Sequence, residues 1–170
     1  RSSLPKTNID KGTENGEISE ENIAIEETEI PKLRQLSTEP VSGLSASSTK
    51  NSSVARFIER GTGYIYEADS LSPEIVKISN TTLPKTYESF WNKNLTTFIT
   101  RYLKDDTDSI VNFYAELRGT GTSTSVTPYE IKGKYLSQNI NQISVSPNGD
   151  KIFTWNIEGD VGVGYISLFD

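Results

Sequence analysis

The 170-residue sequence contains no histidine, no cysteine and no methionine. Without cysteine there is no disulfide, no thiol nucleophile and no thiolate metal site, and the redox compartment leaves no mark on the chain. Without histidine, triads that need an imidazole base are excluded within the chain, and any metal must rely on hard oxygen ligands. Without methionine, Arg1 is not a translation start, so the chain is expected to be part of a longer polypeptide. No apolar run approaches the ~20 residues a membrane-spanning helix needs, and no signal-type region stands near Arg1. Basic residues are in the minority, 17 Lys and Arg against 23 Asp and Glu, for a net charge of −6. That balance argues against a nucleic-acid partner, whose affinity comes largely from cations neutralising phosphates.

What is present divides in two. Residues 1–53 carry seven glutamates between Gly12 and Pro31 with no base among them, then the small-residue run Ser42–Ser53. A self-repelling acidic stretch followed by serines reads as an extended tail and linker. Ile23, Ala24 and Ile25, with Ile30, Leu33 and Leu36, are its apolar exception and could lie on a partner surface as an added strand. From Val54 to Asp170 the texture changes to short β-rich runs separated by turn residues.

The fold class expected for 54–170 is all-β. Val111, Phe113, Ala115 and Leu117 alternate with polar residues, as do Tyr129, Ile131, Gly133 and Tyr135 with Glu130, Lys132 and Lys134, the period-two pattern of half-buried strands. Three hairpins follow from turn chemistry. Gly61-Thr62-Gly63 joins Val54–Glu59 to Tyr64–Ala68, and Asp105-Asp106-Thr107-Asp108 joins Thr97–Leu103 to Ile110–Leu117. Asn148-Gly149, read as a type I′ turn, joins Ile143–Ser146 to Lys151–Trp155.

The three hairpins read as one repeated unit of strand, polar turn and aromatic-rich strand. Taking Phe57, Phe98 and Phe153 as equivalents gives separations of 41 (98 − 57) and 55 (153 − 98) residues, which bracket the ~40–50-residue period of propeller blades. Ser146-Pro147-Asn148-Gly149-Asp150-Lys151-Ile152-Phe153 resembles the SPDGxxIxF signature of WD40-like repeats in TolB-type β-propellers, with Asn148 in place of the usual Asp. In that family the motif turns from the first strand of a blade into the second. Asn92-Lys93-Asn94-Leu95 stands where the preceding unit would carry it, and can form a turn. Arg56 to Tyr102 is also similar to membrane-anchored envelope proteins of bacteria. The resemblances imply consecutive antiparallel blade-like hairpins of a partial β-propeller, about two and a half blades, and an extracytoplasmic, envelope-associated setting. A small β-sandwich is the alternative, because propellers typically have four or more blades.

Site chemistry is sparse. Asp105, Asp106 and Asp108 could offer oxygen ligands to calcium, but the glycine and distal glutamate of an EF-hand loop are absent, and a solvated acidic turn is the expected reading. No other cofactor is expected. Gly119–Ser125 lacks the lysine and following helix of a phosphate loop. Trp91, beside Asn92 at a turn and with Tyr87 on the same run, is the candidate ligand or partner contact, since exposed aromatics anchor protein and glycan interfaces. Together these features favour a non-enzymatic binding or scaffolding module with an unidentified protein or glycan partner. The alternatives are the accessory propeller of a hydrolase and a subunit that self-associates through open strand edges.

Overall fold

The computed structural model describes residues 32–104, 109–121 and 128–170. The calcium candidates Asp105, Asp106 and Asp108 lie outside the described residues. Among those described there is no helix, and eleven strands follow one another: β1 (Val41–Ser48), β2 (Ser53–Glu59), β3 (Ile65–Asp69), β4 (Ile75–Ser79), β5 (Thr86–Trp91), β6 (Thr97–Leu103), β7 (Ile110–Gly119), β8 (Tyr129–Tyr135), β9 (Ile140–Val145), β10 (Lys151–Glu158) and β11 (Val161–Leu168). The chain is all-β, and the three expected hairpins form as β2–β3, β6–β7 and β9–β10.

Alternating residues send each strand's side chains to two faces, and antiparallel pairing of neighbours groups the strands into three leaves. The first leaf is the meander β1-β2-β3-β4, the second β5-β6-β7-β8, and the third β9-β10-β11. A single parallel bridge, Ser79 to Tyr129, joins β4 to β8. Along the opposite seam β1 runs beside β5, where the Ser42 and Ser89 hydroxyls lie 3.0 Å apart. The eight strands of the first two leaves are therefore one nearly closed, barrel-like sheet.

Two cores result. Ile58, Ile65 and Ile78 of the first leaf meet Trp91, Leu95, Phe98, Ala115 and Leu117 of the second. On the other side of the second leaf, Ile99 packs with Ile140, Ile143, Ile152 and Phe169. Successive residues of β6, Phe98 and Ile99, thus enter different cores, and this strand is buried on both faces.

β1 falls within the segment whose composition reads as a linker. Its small residues serve a close approach: a Cβ on Gly43 would sit 2.3 Å from the Ser89 carbonyl oxygen, so only glycine lets β1 lie this near β5. Upstream, the Arg34 guanidinium donates to the Asp69 and Ser72 carbonyls, and Leu36 lines the same clefts as Phe57 and Ala68 on the back of the first leaf. This strap leaves Phe57 only 2% exposed.

Candidate functional site

The Ser146–Lys151 connection is a tight loop whose closing pair is Ser146 N–H to the Lys151 carbonyl, 3.0 Å. Gly149 N–H donates to the Ser146 carbonyl at 2.8 Å. The Ser146 hydroxyl accepts the Asp150 and Lys151 amides and donates to the Asp150 carboxylate at 2.7 Å. That carboxyl is held below its ordinary pKa, chiefly by the Ser146 hydroxyl. Among these residues only Gly149 has positive φ, at 66°. A type I′ turn needs two such residues, so Asn148-Gly149 is not one; it forms the end of a type I turn followed by a left-handed glycine.

The Asn92–Thr97 connection repeats this design one leaf earlier. Asn92 N–H donates to the Thr97 carbonyl at 2.9 Å, and Leu95 N–H to the Asn92 carbonyl at 3.1 Å. The Asn92 amide oxygen takes the Thr96 and Thr97 amides, as the Ser146 hydroxyl takes those of Asp150 and Lys151. Leu95, with φ 58°, stands in the left-handed position that Gly149 fills. The loops touch, Lys93 N–H donating to the Gly149 carbonyl at 3.0 Å.

These contacts decide the fate of the sequence candidates. Asn92 is 1% exposed because its side chain caps its own turn, and Trp91 is 5% exposed with its ring against Phe98, centroids 4.8 Å apart. The Trp91 indole N–H is buried without a hydrogen-bond partner. Neither residue is available as a surface anchor. Tyr87 is half-buried and lines an open cleft of about 700 Å³ with Pro40, Leu103 and Ile110 at one end of the β1–β5 seam. Burial raises its phenol pKa, against the opposing pull of Arg101. The three candidates therefore do not form one site. No three acidic side chains gather into a metal-holding group among the described residues.

Two buried arginines tie the leaves together. Arg56 on β2 donates to Glu67 and, across the first core, to the Leu95 carbonyl at 2.7 Å. Arg101 on β6 binds Glu88 and Asn112 within its leaf and reaches the Asn141 carbonyl on β9 at 3.0 Å. Each guanidinium has its charge matched by a glutamate and a hydrogen bond on every nitrogen, the remaining Arg56 bond going to the Tyr129 hydroxyl, as burial of an ion demands.

The surface that stands out is the outer face of the third leaf. Phe153, Trp155 and Ile157 of β10 share it with Ile166 and Leu168 of β11, their cross-strand and diagonal neighbours, and all are exposed. Gly162 and Gly164 lie beneath the rings: a Cβ at Gly162 would fall 2.0 Å from the Trp155 ring and one at Gly164 3.0 Å from Phe153. The glycines let both rings lie flat, giving an aromatic platform edged by aliphatics. The Phe repeat in the sequence leads to this strand but one residue out of phase. Phe57 and Phe98 point back toward the preceding element, as Ile152 does, whereas Ile58, Ile99 and Phe153 point forward. No family model, curated protein or solved structure matches the chain.

Proposed function

We propose that the chain is a non-enzymatic binding or scaffolding module of propeller type, whose third leaf docks an apolar β-sheet face of a protein partner at its outer surface. The observation that carries this is the burial of equivalent positions. The forward-facing residues Ile58 and Ile99 are 0% and 2% exposed because a leaf covers each, whereas Phe153, next in the series, is 40% exposed. Covering a contiguous apolar patch releases about 25 cal/mol per Å², and such patches mark interaction surfaces. A sheet is the occupant that continues the existing interfaces, in which one leaf's apolar face lies on the next.

Further support for the propeller-type reading comes from four-stranded meanders in succession, from the SPNG turn between the first and second strands of the third leaf, and from a cleft that β1, β5 and β9 line together. An extracytoplasmic, envelope-associated location belongs to the same proposal and rests on the sequence resemblances.

The test is a photo-reactive amino acid at position 155 in the chain produced in its native cells, with the same group at position 132 on β8 as reference. The expected result is a discrete adduct at 155 only, mapping by mass spectrometry to an apolar strand of a protein. An adduct to glycan or lipid, or equal yields at the two positions, overturns the proposal. So does turnover of a glycan or peptide by the purified chain.

A further inference from the structure

We propose that two copies of the chain pair through the open edge of β11, antiparallel about a two-fold axis at Tyr165, so that the three-stranded leaf becomes half of a six-stranded sheet. The first two leaves each carry a fourth strand beyond their third, β4 and β8; the third leaf ends at β11, whose only ladder partner among the described residues is β10. Natural edge strands usually bear charges or proline that discourage further pairing. β8 and β4, which meet at the one Ser79–Tyr129 bridge and are otherwise unpaired on that side among the described residues, follow the same habit, with Glu130, Lys132 and Lys134 on β8 and Lys77 on β4. β11, VGVGYISL, is eight residues long and has neither charge nor proline.

Hydrogen-bond parity says which backbone groups are open. Phe169 N–H donates to the Asp150 carbonyl at 2.9 Å, in register with the β10–β11 ladder. In an antiparallel pair such bonds recur at every second residue, so the odd positions of β11 turn toward β10. The amides and carbonyls of Gly162, Gly164, Ile166 and Leu168 point to the free edge.

A second copy satisfies that edge. A two-fold axis perpendicular to the sheet keeps the apolar outer faces of both copies on one side, and symmetric pairing of this kind is the commonest route to a homodimer. With Tyr165 opposite its own copy, Gly162 faces Leu168 and Gly164 faces Ile166, and all four combinations are hydrogen-bonded pairs. Each large side chain lands opposite a glycine, where no Cβ competes. Leu168 and Ile166 of one copy then extend the patch begun by Trp155 and Phe153 of the other. The register also sets Asp160 opposite Asp170 at each end. Like charges placed this way are repulsive, so the association should strengthen with added salt.

The pairing does not depend on what covers the outer face, and its test is separate. Sedimentation velocity of the full chain over a range of concentrations is expected to show a monomer–dimer equilibrium that tightens with salt and in Asp160→Asn. Amide exchange is expected to slow in the dimer at Gly162, Gly164, Ile166 and Leu168. Ile166→Pro removes an edge donor that the β10–β11 ladder does not use, and Ile166→Lys leaves the backbone intact while placing a cation on the edge. Either variant, folded by circular dichroism, is expected to lose the dimer. Monomer at every concentration, or a dimer that both variants leave intact, would overturn the proposal.

Discussion

The Lys93 amide donates to the Gly149 carbonyl at 3.0 Å, joining two turns of the same design in neighbouring leaves. At their shared left-handed position one turn has glycine and the other Leu95, which is 3% exposed. A non-glycine residue there costs about 1–2 kcal/mol, and burying a leucine side chain returns about 1.5–3 kcal/mol, so the strain at Leu95 is offset by its place in the core. Gly149 has no such compensation. Gly149→Ala adds the strain and sets a Cβ 2.7 Å from the Lys93 backbone nitrogen, for an expected loss of about 1–3 kcal/mol in urea unfolding. At position 95 the usual order of substitutions inverts. Leu95→Gly relieves the strain that Leu95→Ala keeps, and is expected to be the more stable of the two by about 1 kcal/mol. Equal losses would refute the shared geometry.

Arg101 holds the third leaf on the second through the Asn141 carbonyl while satisfying Asn112 and Glu88 in its own leaf. Replacement by methionine preserves much of the apolar stem but strands a buried amide oxygen and a carbonyl. The expected destabilisation is about 2–4 kcal/mol. Lysine keeps the charge without the planar fork and is expected to recover less than half of the loss. Hydrogen exchange should accelerate in β9 before β2 in the methionine variant; uniform acceleration would show that the arginine does not serve as a clamp between leaves.

Where side chains alternate against a core, the strands were legible: Val111, Phe113, Ala115 and Leu117 in β7, and Tyr129 and Ile131 in β8, whose end at Tyr135 is instead exposed. β1 was not, because its task is close backbone approach, which selects the serines, alanine and glycine that also compose linkers. Trp91 was misread for a related reason. Its asparagine neighbour suggests an exposed turn, yet Asn92 turns inward to cap that turn and carries Trp91 into the core. The platform around Trp155 was hidden by phase. Phe153 matches Phe57 and Phe98 in strand but not in face, and the clue lay in Gly162 and Gly164, whose missing side chains admit the rings.

Two glycines isolate the seam between β1 and β5. Gly43→Ala drives a methyl into the Ser89 carbonyl, whereas a Cβ at Gly61 meets nothing within 4 Å and needs no unusual φ. Overpacking at the first is expected to cost about 1–3 kcal/mol. Gly61→Ala, by restricting the unfolded chain, is expected to stabilise by about 0.4–1 kcal/mol. Denaturant midpoints of the two variants check both signs, and a neutral Gly43→Ala would mean that β1 does not lie against β5 in solution.

The Ser146 hydroxyl gives the third leaf a pH-dependent element. Its hydrogen bond to Asp150 favours the carboxylate, so the folded pKa lies below the ordinary value, which is about 3.9. A depressed carboxyl pKa contributes stability that is present above the unfolded value and lost as pH falls through the folded one. The window is therefore below about pH 4. Ser146→Ala removes the donor and also two amide caps. It should lower stability at neutral pH through the caps and the lost carboxylate bond, and move the Asp150 pKa back toward its ordinary value. Asp150→Asn leaves the caps in place and should remove the acid-side dependence together with the carboxylate's own contribution at neutral pH. Following the Asp150 side-chain carbon by NMR separates the two effects. A wild-type carboxyl titrating no lower than in Ser146→Ala would mean that the hydroxyl does not bind it in solution.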